Sequence, residues 1–201
     1  HLLTPGALRW TLRAFAAFED PVVAVRYFYL GPGDQPETTA AGYGRDQEDR
    51  LLETIGWPRD GYRLFEIGAA LRGAADGVTW LNRVFESNCL GIRRHAALAL
   101  GGMDEAFDTA GGGFVNLDFF RRACERPGAE LVELIGEGSF HQVHGGTTTN
   151  TDKATRRARL EAFRPQYQDL RGHGELTTTV PLHFLGHLPT EDAKIHRHRH
   201  G

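Results

Sequence analysis

The apolar positions of the chain fall into continuous runs and into stretches with helical spacing. Residues 21–31 are almost entirely β-branched, aromatic or aliphatic, which predicts a buried strand. Residues 88–92 and 129–136 predict two further strands. Apolar residues at a spacing of three and four predict helices over residues 5–18, 45–56, 94–102, 117–125 and 151–167. Strands that alternate with helices indicate an α/β fold.

Local signals give some of these elements a definite boundary and buried face. Thr4 and Pro5 have the residue types of an N-cap and a first helical position. The first helix would then bury Leu8, Leu12, Phe15 and Phe18, and the fourth would bury Leu117, Phe120, Ala123 and Cys124. Residues 31–44 are expected to form a loop, and residues 137–150 a polar loop or the end of a strand. Periodicity ends after Gly172, so we expect one domain over residues 1–172 and a partly irregular or disordered tail over 173–201.

Composition excludes several classes of protein. The chain has 201 residues and a formal net charge of −3, which gives no electrostatic footprint for nucleic acid. No window approaches the roughly 18 apolar residues of a membrane span, and the first residues lack a signal-peptide layout. The two cysteines, Cys89 and Cys124, do not have metal-site spacing. These features predict a reduced, cytoplasmic protein.

A block rich in glycine and acidic residues, residues 101–123, is the first candidate site. Its five glycines permit backbone conformations or close approaches that other residues resist, at an entropic cost of roughly 0.5–1 kcal/mol each. The acidic side chains in this block are Asp104, Glu105, Asp108 and Asp118. Either they cap helices, since acids near helix N-termini are favoured by the dipole, or they belong to a functional site.

Histidines form a second candidate. His141 and His144 lie three residues apart, so they would point to opposite faces of a strand but could converge on a metal in a turn. Hydrogen-bonded surface histidines are the simpler interpretation of the same spacing. The tail adds His196, His198 and His200, which we expect to be a disordered end without function.

The order of these pieces resembles the C-terminal half of glycosyltransferases with the GT-A fold, especially the family-two type. The most specific part is residues 101–122. There the sequence Gly-Gly-Met-Asp-Glu-Ala-Phe matches a Gly-Gly-Phe-Asp-Glu-x-Phe element, and Asp118 with Arg122 matches an Asp-x-x-x-Arg helix start. A strand and a histidine-bearing segment follow in the same order. The resemblance covers roughly residues 2–146.

The resemblance implies a partial three-layer α/β/α sandwich with a mixed sheet, represented by its acceptor-side part and without the nucleotide-binding half. It implies a metal-dependent transfer of a sugar from a nucleotide-sugar donor to a hydroxyl of a carbohydrate, lipid-linked or small-molecule acceptor. Mn²⁺ or Mg²⁺ would neutralise the leaving diphosphate. Association with a membrane stays open.

The resemblance also assigns roles to single residues. Asp118 and Asn116 occupy the catalytic positions, although Val115 and Asn116 stand where the family carries a Glu-Asp pair, and Asn cannot accept a proton. The expected metal ligands are His144, His141 and His1. The expected acceptor-side and loop residues are Asp104, Glu105, Gly111, Gly112, Gly113, Trp80 and Asn88.

Two other functions fit the sequence. The missing acidic pair favours a non-catalytic carbohydrate-binding or scaffolding relative of the same fold. A small metal-dependent hydrolase would use His141 and His144, but no third ligand stands at a recognisable spacing. Because the sequence contains no glycine-rich phosphate loop and no Asp-x-Asp motif, we expect the chain as given to be inactive alone and not to bind nucleotide sugars.

Overall fold

The fold is mixed α/β, with helices packed on one curled, mixed sheet. The computed structural model describes residues 1–70, 80–86, 88–144 and 152–187. The helices are α1 (Ala7–Ala17), α2 (Gln35–Ala40), α3 (Arg45–Thr54), α4 (Leu64–Ile67), α5 (Arg94–Ala99), α6 (Val115–Cys124) and α7 (Lys153–Arg171). The strands are β1 (Leu2–Leu3), β2 (Pro21–Leu30), β3 (Gly68–Ala70), β4 (Leu90–Gly91), β5 (Glu130–His141) and β6 (Leu182–Gly186).

Two long parallel strands, β2 and β5, form the centre of the sheet. On the other side of β2 lie β3 and β4, both antiparallel to it. Strand β5 is also paired with β1 in the antiparallel sense and with β6 in the parallel sense. Almost every residue of β2 and β5 is buried, as expected for strands covered on both faces. β2 is a near-continuous apolar run, whereas β5 also contains buried polar residues, which are Glu133, Glu137, Ser139 and His141.

Helices cover the two faces of this central pair. On one face, α1 packs Ala7 and Ala14 against a cluster that includes Val23 and Val132. On the other face, α6 packs Phe120, Ala123 and Cys124 against Val22, Ala24 and Leu131. Further along the strands, Phe28 and Phe140 join a third cluster that contains Leu64, Phe65 and Trp80.

A bulge in β5 changes the register of the central pair. Val25 lies opposite Leu134, but Arg26 lies opposite Gly138, so residues 135–137 have no partner on β2. Gly136 adopts a φ of +78°, and a Cβ there would lie 2.0 Å from the carbonyl oxygen of His187. Glu137 is fully buried and accepts hydrogen bonds from the hydroxyls of Thr4 (2.5 Å) and Tyr62 (2.9 Å). Glycine and a buried carboxylate therefore stabilise the bulge.

An odd number of extra residues exchanges the faces of a strand. Before the bulge, Val132 and Leu134 share the α1 face with Val23 and Val25. After it, Phe140 packs with Phe28 on the opposite face. His141 consequently lies on the same side of the sheet as Tyr27 and Tyr29.

The first helix differs from its predicted boundary and face. It begins at Ala7 with Gly6 as N-cap, because the side chain of Thr4 bonds to Glu137 instead of capping the helix. Leu8 and Leu12 are 66% and 68% exposed, so the predicted buried face is wrong at both positions. Small alanines face the sheet because they allow the helix axis to approach it closely.

The prediction for residues 31–44 needs correction, because the expected loop contains α2. Residues 137–150, expected to form a loop or the end of a strand, begin as the second half of β5. The stretch after Gly172 contains β6, which pairs with β5. His196, His198 and His200 lie outside the described residues. The predicted helices over residues 45–56, 94–102, 117–125 and 151–167 are confirmed with small changes of boundary.

A buried ion pair fixes the segment that leads into β4. Arg26 of β2 donates to Glu133 of β5 at 3.1 Å and to the carbonyl oxygens of Trp80 and Asn82. The second carboxylate oxygen of Glu133 accepts from the backbone N–H of Val84 at 2.6 Å. Burial raises the pKa of Glu133 to about 7 and lowers that of Arg26. The ion pair therefore carries a cost in desolvation free energy.

We predict that removing one partner of this pair is more harmful than removing both. Glu133→Leu leaves a buried, uncompensated guanidinium and should lower the free energy of unfolding by about 3 kcal/mol or more. The double variant Arg26→Met/Glu133→Leu should recover most of that loss, as measured by urea unfolding at pH 7. Equal losses in the single and double variants would contradict this interpretation.

Candidate functional site

Three histidines lie together at the edge of the sheet where β2 and β5 end. Parallel strands present their carboxyl ends at one edge, and ligands of open α/β sheets bind outside those ends. His141 is the last residue of β5 and lies opposite Tyr29 of β2. Because Leu2 pairs with Phe140, His1 lies beside His141, and their ring centroids are 4.6 Å apart. His144 follows in the turn after β5, 4.6 Å from the His141 ring.

Hydrogen bonds connect this histidine cluster, which we define as His1, His141 and His144. The Nε2 atoms of His141 and His144 are 2.9 Å apart. The Nδ1 atom of His141 is 2.6 Å from Oε1 of the buried Gln35, and Nδ2 of Asn88 is 3.1 Å from Nδ1 of His1. The sequence-predicted metal ligands and Asn88 are therefore brought into one place.

Gln35 is placed to select the tautomer of His141. With Oε1 of Gln35 towards the ring, Nδ1 of His141 donates to it and Nε2 presents its lone pair towards His144. Burial, and secondarily the proximity of His144, lowers the pKa of His141 to about 4. His141 is thus a neutral imidazole at neutral pH, with the second nitrogen held as in many metal-binding histidines.

The histidine pair fits a metal ion only in part. Two nitrogen ligands in adjacent coordination positions of a metal, each about 2.1 Å from the ion, are about 3 Å apart. This distance matches the 2.9 Å between the Nε2 atoms of His141 and His144. Within the described parts of the chain, however, no three His, Cys, Asp or Glu side chains are arranged to hold a metal. A metal here would have two protein nitrogens and would take its other ligands from water or from a bound substrate.

The acidic and glycine-rich block forms a separate cluster. Arg171 of α7 donates to Asp118 of α6 at 2.5 and 2.8 Å and to Asp104 at 2.6 Å. Arg122 donates to Asp118 at 2.7 Å and to the carbonyl oxygens of Leu100 and Gly102. Gly101 and Gly102 have φ values of +74° and +72°, which turn the chain so that Arg122 reaches those carbonyls. Ion pairs therefore join α6 and α7 at this block, and hydrogen bonds from Arg122 attach the C-terminal end of α5 to them.

Asp118 has little capacity to act as a base. Only 1% of it is exposed, and both oxygens accept from arginine. Burial alone would raise the pKa of Asp118, but hydrogen bonds from Arg171 and Arg122 outweigh it and hold the pKa below its ordinary value. The geometry is that of a structural anchor inside the block, not of a carboxylate at the mouth of a pocket. Asn116 is exposed on the first turn of α6.

The other predicted acceptor-side residues are scattered. Trp80 is 4% exposed and packs between Phe28 and Phe65, so its ring cannot stack on a sugar. Glu105 is exposed. Gly111, Gly112 and Gly113 have positive φ values in a turn that Gln166 of α7 holds through Thr109 and Asp108.

Helix α7 connects the two clusters. Arg156, near its start, acts electrostatically on Tyr27 and Tyr29 beside the histidines. Arg171, at its end, holds the acidic block. Fifteen residues of α-helix span about 22 Å, so the two clusters are distinct places on the protein.

Several contributors to the histidine cluster were absent from the sequence prediction. Gln35 and Glu48 are fully buried polar residues on α2 and α3, and their partners are more than 90 residues away in sequence. Tyr27 and Tyr29 lie within a strand that the pattern predicted, where alternating aromatics could have indicated a polar lining.

Comparison with known proteins finds no matching protein-family model, curated protein or solved structure. In the described ranges, every helix is too short or too polar to cross a lipid bilayer.

We predict that Asp118 stabilises the fold in a pH-dependent way. Asp118→Asn should lower the free energy of unfolding by about 2 kcal/mol at pH 7, the magnitude of hydrogen bonds to a charged group. Because the folded pKa lies below the ordinary 3.8, this contribution is present above about pH 4 and is lost as the pH falls through the folded pKa. Urea titrations from pH 7 to pH 2.5 measure the difference, and a difference independent of pH would contradict the ion-pair role.

Proposed function

We propose that this protein is a glycosyltransferase of GT-A type, in which the histidine cluster holds the divalent metal and diphosphate of a nucleotide-sugar donor. The observation that carries the proposal is the convergence of His1, Asn88, His141 and His144. These residues come from three different parts of the chain; the resemblance predicts the three histidines as metal ligands and Asn88 as an acceptor-side residue. They lie at the carboxyl edge of a parallel strand pair, where open α/β sheets bind ligands.

The chemistry of the side chains favours Mn²⁺ over Mg²⁺ as the metal. Mg²⁺ is bound almost entirely by oxygen, whereas Mn²⁺, although it also prefers carboxylate oxygen, tolerates a neutral imidazole as a ligand. When bound, the metal would supply Lewis-acid stabilisation of the leaving diphosphate. Two protein ligands leave several coordination positions for phosphate oxygens. His141 and His144 would hold the ion, while Gln35 keeps His141 in the required tautomer.

The remaining polar groups of the cluster would orient the donor. His1 and Asn88, joined by a hydrogen bond, would line one side of the donor site, and Tyr27 and Tyr29 would line the adjacent side. Burial is the largest cause that raises the pKa values of both tyrosines, so their hydroxyls stay protonated and can donate to ligand oxygens. In this proposal the acidic block stabilises the position of α7 through ion pairs and does not contact the donor.

A non-catalytic, sugar-nucleotide-binding relative is the second candidate, and the state of the predicted catalytic residues favours it. Asp118 is occupied by two arginines, and Asn116 has no basic group. Neither can deprotonate an acceptor hydroxyl at neutral pH. Binding of the donor without transfer would distinguish this candidate from the enzyme.

The histidine cluster replaces the expectation from the motifs, that the chain binds no nucleotide sugar, with a different one: we predict that Mn²⁺ binds through this cluster and that a nucleoside diphosphate strengthens the binding. Isothermal titration of Mn²⁺, with and without UDP, should give at least tenfold weaker binding for His144→Ala than for the unaltered chain. His95→Ala removes an exposed histidine on α5 and is the matched control, with no expected change. Equal affinity of the unaltered chain and His144→Ala would refute the metal site.

If the metal is bound as proposed, transfer can be tested separately. Hydrolysis of UDP-, GDP- or TDP-sugars in the presence of Mn²⁺ would show that the protein is catalytically active. Tight, Mn²⁺-dependent binding without hydrolysis or transfer would support the second candidate.

A further inference from the structure

Glu48 is a buried carboxylate whose place in the fold calls for an explanation. It lies on α3 and is 2% exposed, while the other acidic residues of that helix point to solvent. No Lys, Arg or His of the described residues forms an ion pair with it. Burial raises the pKa of Glu48, partly offset by hydrogen bonds from Val143 and Gln142. Placing a carboxylate there costs free energy that an apolar side chain would not cost.

Its hydrogen bonds go to the turn between the two key histidines. One oxygen accepts from the backbone N–H of Val143 at 2.7 Å, and the other accepts from Nε2 of Gln142 at 3.3 Å. Strand β5 ends at His141, so the N–H of Val143 has no strand partner. Without Glu48, this half-buried donor would lack a protein acceptor among the described residues.

The direction of residues 142–144 decides where the His144 ring lies. Only two residues lie between His141 and His144, yet their Nε2 atoms are 2.9 Å apart. In an extended strand, residues three apart would point to opposite faces. The chain must therefore turn directly after His141, and the Glu48–Val143 hydrogen bond is a partly buried contact that holds this turn.

We propose that Glu48 is a positioning residue, which holds the turn at residues 142–144 so that His144 faces His141 and the pair can chelate a divalent metal. The proposal rests on the metal site proposed above. Glu48 acts through the length and direction of its side chain and does not itself ligate. In metal-binding proteins, loss of such an outer partner costs about 10–100-fold in affinity.

Two substitutions separate the hydrogen bond from the charge. Glu48→Gln keeps the length of the side chain and an oxygen that can accept from Val143, but it removes the charge. Glu48→Asp keeps the charge but withdraws the oxygens by one methylene. If Glu48 positions the turn, Glu48→Gln should bind Mn²⁺ within about threefold of the unaltered chain, and Glu48→Asp should bind at least tenfold more weakly.

Glu53 supplies the matched control, because it is exposed on the same helix. Glu53→Gln and Glu53→Asp should leave Mn²⁺ affinity unchanged. A tenfold loss in Glu48→Gln together with normal binding by Glu48→Asp would overturn the positioning role, because the charge rather than the hydrogen bond would then matter.

A second readout needs no metal. Long-range ¹⁵N–¹H NMR of the histidine rings reports which nitrogen carries the proton and whether His141 and His144 share a hydrogen bond. We expect the His144 signals to shift in Glu48→Asp and to be preserved in Glu48→Gln. Unshifted His144 signals in Glu48→Asp would overturn the proposal. Failure of the unaltered chain to bind Mn²⁺ would instead refute the metal site and leave the NMR result to decide the role of Glu48.

Discussion

The bulge at residues 135–137 of β5 is the constraint on which the candidate site depends. Without it, continuous pairing with β2 would keep the faces of β5 unchanged, and His141 would turn away from Tyr27 and Tyr29. The bulge is built from Gly136, which alone fits against His187, and from the buried carboxylate of Glu137. Since Glu137 is held by Thr4, the same contact brings β1, and with it His1, against β5. One local irregularity thus assembles the histidine cluster.

Buried polar contacts of long sequence separation do the remaining positioning. Glu133 and Arg26 fix the segment that precedes Asn88, Gln35 orients His141, and the arginines of α6 and α7 tie the glycine-rich block to the body of the fold. Each contact costs desolvation and is compensated by hydrogen bonds with good geometry. The apolar layers hold the sheet together, and these contacts determine which side chains meet at its edge.

The sequence allowed the central elements to be predicted because their signals are local. The continuous apolar run of β2 and the helical spacing in α3, α6 and α7 are properties of short windows. The face of α1 was predicted wrongly, since large apolar residues were expected inside, whereas alanines make the close contact with the sheet. Strand β6 was missed because its five residues follow an irregular stretch and are only partly buried.

Site residues were predictable only where a short motif carried them. The histidine spacing indicated a possible pair, but its convergence depends on the bulge and on Glu48, neither of which has a sequence signature that identifies a partner more than 90 residues away. The acidic block has a strong local motif, yet its carboxylates serve ion pairs to Arg122 and Arg171, one of them contributed by a helix some 50 residues later. At Asp118, therefore, the residue matches the sequence motif but has a structural role in ion pairs.

The most direct test of the account is the position of a bound metal in crystals of the protein soaked with Mn²⁺. Anomalous scattering at the manganese edge locates the ion without any assumption about function. The account predicts a peak between the Nε2 atoms of His141 and His144, about 2.1–2.3 Å from each, beside the Gln35–His141 hydrogen bond. A peak confined to the acidic block at Asp104 and Asp118, or no ordered peak at the histidines, would contradict it.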